Sequence, residues 1–270
     1  MKQRNEKAAA DLKNMLRLRY DPIAVKMIEN ESEIPSNAIY PPRDMGQHMA
    51  ICQVYALARR DGKTIYTDKN SEWCWCPQIT LGFSKCDVGS EEFELVCKHL
   101  GFSDIDTARD FFAKFPRLPT GKYIGTVTGP LADCDFEPDV VMIYCNNAQL
   151  RSMLWAIKNA TGKVVETQLD AIDSCVYSVV VPQLSGQYRV TLPDIGEYER
   201  AGADEDEIIL SIPRGKLDEL VSGVAGFYNY GMGYTQLRRS MEYDFPRPPF
   251  YNELFKMWGL EQSGEWGART

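Results

Sequence analysis

The densest group of reactive side chains in this sequence is the segment Trp73-Cys74-Trp75-Cys76-Pro77, which Cys86 follows ten positions after Cys76. Thiolates bind soft metals and iron–sulfur clusters, and a loop backbone lets neighbouring cysteines converge on one ion. Upstream, His48 and Cys52 are four positions apart, which would place both on one face of a predicted helix. The sequence therefore suggests a soft-metal or cluster site with four ligands: Cys52, Cys74, Cys76 and Cys86.

The same cysteines allow two other interpretations. Their intervals of 22, 2 and 10 positions match no standard cluster signature. Thiols beside tryptophans are also typical of small buried hydrophobes, and thiols without a metal can carry out redox chemistry. Metal binding, metal-free redox chemistry and simple packing are therefore three competing hypotheses for this segment.

Two cations and one further cysteine are candidates for binding a substrate. Lys26 is the one charged residue in an apolar run, where a desolvated amine would suit imine or acid–base chemistry, although a long stem often carries such an amine to the surface. Arg200 follows Gly196 and could bind an anionic substrate or pair with the acidic run 204–207. The predicted substrate-binding residues are Lys26, Arg200 and Cys175.

The remaining cysteines fit structural roles better than chemical ones. Cys97 shares a helical face with Phe93 and Leu100, which indicates a core position. Cys145 ends an apolar strand, and Cys134 is flanked by two aspartates that would disfavour its thiolate. The sequence also lacks a P-loop, a Gly-x-Ser-x-Gly motif and a His-Glu-x-x-His motif, so catalytic residues stay unknown.

The elements that would position these residues alternate between helices and strands. Apolar periodicity predicts helices at 8–19, 45–60, 91–100, 104–115, 148–160 and 216–230. Runs rich in β-branched residues predict strands at 23–28, 64–66, 122–128, 140–145, 163–168, 174–181, 187–192 and 204–212. We expect an α/β or mixed α+β fold, with a mixed sheet flanked by helices in one compact domain or two packed lobes, and an aromatic, Pro-rich tail at 243–270.

Composition and charge limit the cellular compartments and the classes of binding partner that the sequence predicts. A net charge of −8 and a pI near 5.0 argue against nucleic acid, which is bound largely through basic residues. The sequence has no signal-peptide pattern and no apolar run that could cross a membrane, so we expect a cytoplasmic protein whose eight cysteines stay reduced. A small-molecule ligand is the expected partner, and assembly into a homo-oligomer stays open.

Several short segments together resemble the domain of unknown function 169 family, a group of prokaryotic proteins whose biochemistry is largely unassigned. The segments are Leu18-Arg19-Tyr20-Asp21-Pro22-Ile23-Ala24-Val25-Lys26, Cys52, Thr128-Gly129-Pro130-Leu131, Pro138-Asp139-Val140-Val141, Cys175, Gly196-Glu197-Tyr198-Glu199-Arg200 and Ile212-Pro213. Many members carry a cysteine shortly before the Gly and Arg that correspond to Gly196 and Arg200, whereas this chain has Leu192-Pro193-Asp194-Ile195 there. The resemblance implies a shared fold and leaves the activity open.

Three hypotheses for function follow. The leading one is a cytosolic thiolate-using redox protein or enzyme, with an iron–sulfur cluster or another thiolate-bound metal as cofactor in the Cys-rich loop. The second is a metal-free small-molecule-binding protein or enzyme with a pocket near Lys26 and Arg200. The third is a subunit or maturation partner of an enzyme complex, for which the aromatic segment 245–258 would be the contact surface.

Overall fold

A six-stranded sheet organises the chain, which a computed structural model describes over residues 1–237, 241 and 247–260. The strands lie in the order β2-β3-β1-β4-β6-β5, and each neighbouring pair is antiparallel. They are β1 (Ile23–Ile28), β2 (Ile65–Asp68), β3 (Gly125–Pro130), β4 (Val140–Cys145), β5 (Arg189–Thr191) and β6 (Ile208–Pro213). The fold is therefore α+β, which confirms the second of the two predicted alternatives, α/β or mixed α+β.

Helices cover both faces of this sheet. They are α1 (Lys2–Leu16), α2 (Pro41–Asp44), α3 (Ile51–Asp61), α4 (Trp75–Thr80), α5 (Glu91–His99), α6 (Ile105–Ala113), α7 (Asn147–Thr161), α8 (Val181–Ser185), α9 (Ile195–Ala201), α10 (Leu217–Asn229) and α11 (Pro249–Met257). Two short 3₁₀ turns lie at Glu31–Glu33 and Leu131–Asp133, and a π-helix lies at Val176–Val180.

The sheet separates two apolar cores, because successive side chains of a strand point to opposite faces. On the α3 face, Val25 and Met142 pack with α3, α4, α5, α6 and the π-helix. On the α7 face, Ala24 and Ile143 pack with α1, α7 and α10. Both cores therefore contain side chains of the same strands, β1 and β4.

The predicted strand at 174–181 is wrong, because residues 176–180 form the π-helix. Ser174 and Val176 mark its start: the Ser174 N–H donates to Asp194 at 2.9 Å, and the Val176 N–H donates to the Asp173 carbonyl at 2.9 Å. Pro182 then stands in the first turn of α8, where its missing N–H costs nothing. Tertiary anchoring and this turn outweigh the strand propensity of the valines. The predicted strand at 163–168 is also absent from the described structure.

The chain divides into two compact units, Met1–Gln236 and Leu237–Thr270. The first contains the sheet, and the second contains α11, which exposes Phe250, Met257 and Trp258. Of the predicted tail, residues 243–246 and 261–270 lie outside the described ranges. The single-domain organisation stays a prediction. Among the described helices, none is long and apolar enough to cross a membrane.

Candidate functional site

Four separate segments of the chain meet beside α3 and bring sulfur and charged side chains together. Cys52 is the second residue of α3, and the electrostatic influence of Arg200, Glu197, Asp194 and Cys175 reaches its thiol. The other segments are the loop that enters α4, the loop that enters the π-helix, and α9. We define the cysteine cluster by these residues: Cys52, Glu72, Cys74, Cys76, Asp173, Cys175, Glu197 and Arg200.

A pair of thiols forms the inner part of the cysteine cluster. The Sγ atoms of Cys76 and Cys175 lie 3.8 Å apart, although 99 positions separate them in the sequence. Both residues are buried and both are free thiols. A disulfide bond is about 2.05 Å long, so the two sulfurs would have to approach by roughly 1.8 Å to form one. The geometry is therefore that of a dithiol close to a disulfide.

Asp194 joins the Cys175 loop to α9. It is the N-cap of α9, and its Oδ1 accepts from the Glu197 N–H at 2.8 Å. Its Oδ2 accepts from the Ser174 N–H at 2.9 Å, and the Ser174 hydroxyl donates to Glu197 Oε1 at 2.7 Å. An aspartate followed three positions later by a glutamate is a helix-start signature, and here both carboxyls also hold the residue before Cys175.

The surroundings of the dithiol keep both thiols protonated at neutral pH. Burial raises the pKa of Cys76 well above its ordinary value. The hydrogen bond with Cys76 lowers the pKa of Cys175, but burial and the Asp173 carboxyl raise it, with a net result of about 11. Burial also raises the pKa of Asp173 to about 6, while the adjacent Cys76 thiol lowers it. Asp173 is therefore placed to accept the proton that Cys76 must lose before it reacts.

The backbone on either side of Cys175 departs from common geometry. Asp173 has φ of 64°, in the left-handed region that non-glycine residues rarely occupy. The π-helix begins directly after Cys175, and such wide turns occur frequently at functional sites. Unusual backbone geometry persists only where the surrounding structure holds it, as the Asp194 contacts do here.

Cys74 and Arg200 form the outer part of the cysteine cluster. Cys74 is half-buried, whereas the other seven cysteines are buried. The Arg200 guanidinium lies beside its thiol and lowers the pKa of Cys74, although burial and the nearby Glu72 leave that pKa raised overall. Arg200 folds back along its own helix over Gly196, where a β-carbon would collide with its Nη2. A side chain at position 196 would therefore move the Arg200 guanidinium from this place.

Glu72 is a buried carboxyl next to Cys74. Only 3% of its surface is exposed, its Oε1 accepts from the Cys74 N–H at 2.9 Å, and its Oε2 has no hydrogen-bond partner. Burial raises the pKa of Glu72 to about 8. Glu72 is therefore a neutral acid at pH 7 that fixes the backbone of Cys74.

A buried charge network continues from Glu197 toward the sheet. Burial raises the pKa of Glu197 to about 7, and the Tyr144 hydroxyl and the Arg59 guanidinium lie near its carboxyl. Arg59 stacks over the Tyr144 ring, 3.9 Å from the ring centroid, and forms an ion pair with Glu207. The side chains of Arg59 and Glu207 are only 1% and 7% exposed. The cysteine cluster thus rests on charged groups that water does not reach.

The predicted four-cysteine ligand set is not assembled in the described structure. No three His, Cys, Asp or Glu side chains there are placed to hold a metal ion. The thiol of Cys86 lies near Arg117 and Cys97 instead, and His48 precedes α3 and stacks on Trp73 with ring centroids 4.4 Å apart. The residues present therefore do not fit an iron–sulfur cluster or another thiolate-bound metal, and metal binding stays a prediction from the sequence.

Lys26 is engaged away from the cysteine cluster. Its ammonium group forms an ion pair with Glu33, and its charge also acts on Asp139, a residue that accepts from the Met27 N–H at 2.8 Å. Only 16% of the Lys26 side chain is exposed. Of the three predicted substrate-binding residues, the structure brings Cys175 and Arg200 together and places Lys26 elsewhere.

Three other cysteines occupy the apolar cores. Cys97 lies beside Phe93 on the α3 face, while Cys134 and Cys145 lie on the α7 face. Burial raises the pKa of Cys134 and that of Cys145 to about 12, and the two aspartates next to Cys134 add to the effect there. These thiols are packing groups.

An apolar cavity of about 220 Å³ adjoins the Cys-rich segment. It is lined by Trp75, Leu95, Val96, His99 and Leu100. The Trp75 ring, which lies between Cys74 and Cys76 in sequence, also makes an edge contact with Phe112. The cavity is a second place where a small organic molecule could bind.

Comparison with known proteins identifies relatives but no known activity. The profile of the domain of unknown function 169 family, described as "Uncharacterised ArCR", matches residues 11–223. The chain belongs to this family. An uncharacterised protein of Methanocaldococcus jannaschii is 24% identical over 207 residues, which cover 76% of this chain and 87% of that protein. No solved structure matches the chain.

Three of the segments that carry the resemblance to the domain of unknown function 169 family meet in the cysteine cluster. They contain Cys52, Cys175 and the pair Gly196 and Arg200, which come from distant parts of the sequence. The sequence pattern does not indicate Glu72, Asp173 or the partnership of Cys76 with Cys175. Only the helix-start pattern at Asp194 could have drawn attention to the neighbouring carboxyls.

Proposed function

We propose that this protein is a thiol–disulfide redox protein that cycles between a Cys76–Cys175 dithiol and a Cys76–Cys175 disulfide. The observation that carries the proposal is the 3.8 Å separation of two sulfurs from segments 99 positions apart. The two sulfurs need to approach by only roughly 1.8 Å to form a disulfide, and their partnership is independent of the Cys-x-Cys spacing. The family relationship is compatible with this activity and adds no support to it, because the family is uncharacterised.

The oxidation is balanced by an external disulfide. The two thiols of Cys76 and Cys175 react with R–S–S–R to give one protein disulfide and two molecules of R–SH. One sulfur–sulfur bond breaks, one forms, and both thiol protons end on the released thiols. Asp173 can hold the Cys76 proton between the two steps, because its carboxyl lies beside that sulfur.

The raised pKa values make direct exchange with small disulfides slow. The thiolate is the attacking species, and burial disfavours it at both Cys76 and Cys175. We therefore expect rapid oxidation only when a more exposed thiol first captures the substrate, or when the loop that carries Cys175 opens.

A redox titration tests this function. The purified chain is equilibrated with mixtures of reduced and oxidised dithiothreitol, and the thiols are then trapped and mapped by peptide mass spectrometry. We expect a two-electron transition that yields one disulfide, between Cys76 and Cys175. Cys76→Ser and Cys175→Ser should each abolish it, whereas Cys97→Ser should leave its midpoint unchanged. A chain in which Cys76 and Cys175 stay reduced across all mixtures would contradict the proposal.

Small-molecule binding is the second candidate, and the apolar cavity at Trp75 favours it. The dye 1-anilinonaphthalene-8-sulfonate should bind the native chain and lose affinity in Leu95→Asp, because the carboxylate repels the sulfonate. The matched control is Leu184→Asp, because Leu184 is 55% exposed and Leu95 is 60% exposed. Equal binding by both variants would place the dye elsewhere and remove this candidate. Assembly with a partner enzyme through the aromatic tail stays a prediction.

A further inference from the structure

Cys74 differs from the other cysteines in its access to solvent. It is half-buried, and the seven others are buried. Trp73, the residue before it, is 72% exposed, whereas Cys76 is only 3% exposed. Cys74 immediately precedes α4 and Cys76 lies within it, so the backbone turns inward between the two sulfurs. Among the three neighbouring thiols of Cys74, Cys76 and Cys175, that of Cys74 therefore lies nearest to solvent.

Arg200 gives this position a cationic group. Cys74 packs against the cluster of Ala50, Cys52 and Ala201, the last of which follows Arg200 in α9, and the charges of Cys74 and Asp194 both act on the Arg200 guanidinium. Among the described residues it forms no salt bridge with a carboxylate, in contrast to Arg59 and Arg109, which pair with Glu207 and Glu94. A guanidinium presents paired N–H donors in a plane that matches the two oxygens of a carboxylate.

Glu72 lies on the buried side of Cys74. Its carboxyl is 97% buried, holds the Cys74 N–H through Oε1 and leaves Oε2 without a partner. An unpaired buried polar atom costs stability, so the Oε2 of Glu72 beside Cys74 is a place where a polar group of a ligand could gain a hydrogen bond.

We infer that Cys74 and Arg200 form an exchange site for an anionic low-molecular-weight disulfide, with Arg200 binding its carboxylate and Cys74 attacking its sulfur. This inference rests on the proposed redox function of Cys76 and Cys175. Cys74 gives up its proton to solvent and attacks, which forms a mixed disulfide and breaks the substrate disulfide. The released thiolate takes a proton from solvent.

Transfer to the dithiol completes the cycle. Cys74 packs against the core cluster that contains both Cys76 and Cys175. The Cys175 thiol loses its proton and attacks the Cys74 sulfur, and the second substrate thiol leaves with a proton. Cys76 then loses its proton, attacks Cys175 and returns Cys74 as a thiol. In total, two electrons pass from the dithiol to the substrate disulfide, and two thiols are released.

Two coloured disulfides distinguish anion recognition from general thiol reactivity. The probe 5,5′-dithiobis(2-nitrobenzoate) carries two carboxylates, and 2,2′-dithiodipyridine carries none. Stopped-flow absorbance should show a fast phase with both probes, and Cys74→Ser should remove it. Arg200→Gln should slow both probes, because Arg200 lowers the pKa of the Cys74 thiol, and it should slow the carboxylate probe about tenfold more than the uncharged probe, since charge-assisted hydrogen bonds are also lost. Arg200→Lys should retain part of the preference.

Arg151→Gln is the matched control, because Arg151 is an exposed arginine on α7, and its rates should equal those of the unmodified chain. Equal slowing of both probes by Arg200→Gln would overturn anion recognition. A fast phase that survives in Cys74→Ser would overturn the role of Cys74. If the dithiothreitol titration yields the Cys76–Cys175 disulfide but these rates do not change, this inference fails alone. If the rates change as expected but the disulfide never forms, the proposed function fails alone.

Discussion

On the α7 face of the sheet, two buried amides, Asn5 and Gln149, each donate to two backbone carbonyls, and only the Oδ1 of Asn5 lacks a partner in this pair of side chains. On the α3 face, the buried polar groups include carboxyls and a guanidinium, and buried oxygens such as Glu72 Oε2 and the Tyr55 hydroxyl have no hydrogen-bond partner. Neutral amides with partners stabilise a fold, whereas charged or unpaired groups in dry surroundings cost stability.

The cysteines on the two faces have different surroundings, although their spacing in the sequence does not distinguish them. Cys134 and Cys145 lie on the α7 face, and their neighbours are mainly aliphatic side chains of α1, α7 and the sheet. Cys76 and Cys175 lie on the α3 face, beside Asp173 and within reach of Cys74. Perturbed titratable groups collect at functional sites, so the α3 face is where chemistry is expected.

The largest expected effect is the stabilisation of the chain by the Cys76–Cys175 disulfide. Closing a loop of 99 positions should stabilise the oxidised chain by about 4 to 5 kcal/mol, because the unfolded chain loses conformational entropy. Urea unfolding of oxidised and reduced protein measures the difference. Cys175→Ser should show no change on oxidation. Equal stability of the two forms, with the disulfide verified by mass spectrometry, would mean that native-state strain cancels the entropic gain.

The next effect concerns the buried ion pair that supports the cysteine cluster. Arg59→Met should lower the free energy of unfolding by roughly 3 to 4 kcal/mol, because Glu207 is left as an unpaired buried charge. Adding Glu207→Gln should restore part of this loss. The control is Arg109→Met, whose ion pair with Glu94 is 42% and 30% exposed and should contribute less than about 1 kcal/mol. Equal losses in Arg59→Met and Arg109→Met would contradict the contrast between buried and exposed pairs.

The pH dependence of stability should distinguish Glu197 from surface carboxyls. Its pKa is about 7 in the folded chain and near 4.5 when unfolded, so between these values only the folded chain binds the proton. The free energy of unfolding should therefore fall by about 1.4 kcal/mol per pH unit as pH rises through this window, and then level off above pH 7. Glu72 adds a slope of the same sign up to about pH 8.

Glu197→Gln should make this decline shallower while keeping the hydrogen bond from Ser174, since an amide oxygen also accepts. Glu94→Gln is the control, because Arg109 lowers the pKa of Glu94 and its contribution is lost only at acid pH. An unchanged slope in Glu197→Gln would show that Glu197 does not hold this proton.

The sequence predicted some elements well because their signals are local. Strands β1 and β4 match the predicted ranges 23–28 and 140–145, where runs of β-branched residues lie between a proline and an asparagine N-cap. The start of α9 and the π-helix depend instead on contacts between Asp194 and Ser174, which are 20 positions apart. A valine-rich segment is predicted to be a strand unless such contacts are known.

The candidate site was predictable in its residue types and not in its pairing. Cys74 and Cys76 were evident from their spacing, and Cys175 and Arg200 from the family resemblance. The partnership of Cys76 with Cys175 was not accessible, because no local pattern relates two positions 99 apart. Cys86, which the sequence groups with them, has other neighbours in this structure: its carbonyl accepts from Arg117, and its thiol lies near Cys97.

The smallest effect should come from cysteines that only fill space. Cys97→Ala removes a sulfur that packs in the core of the α3 face, and Cys145→Ala does the same on the α7 face. Each should lower the free energy of unfolding by about 1 kcal/mol, since one buried atom is lost and a small cavity remains. Urea unfolding measures this cost, and the dithiothreitol titration measures the midpoint of the Cys76–Cys175 couple in the same variants. That midpoint should stay constant in both. A shift caused by Cys97→Ala and not by Cys145→Ala would mean that the whole α3 face, rather than the cysteine cluster alone, determines the redox equilibrium.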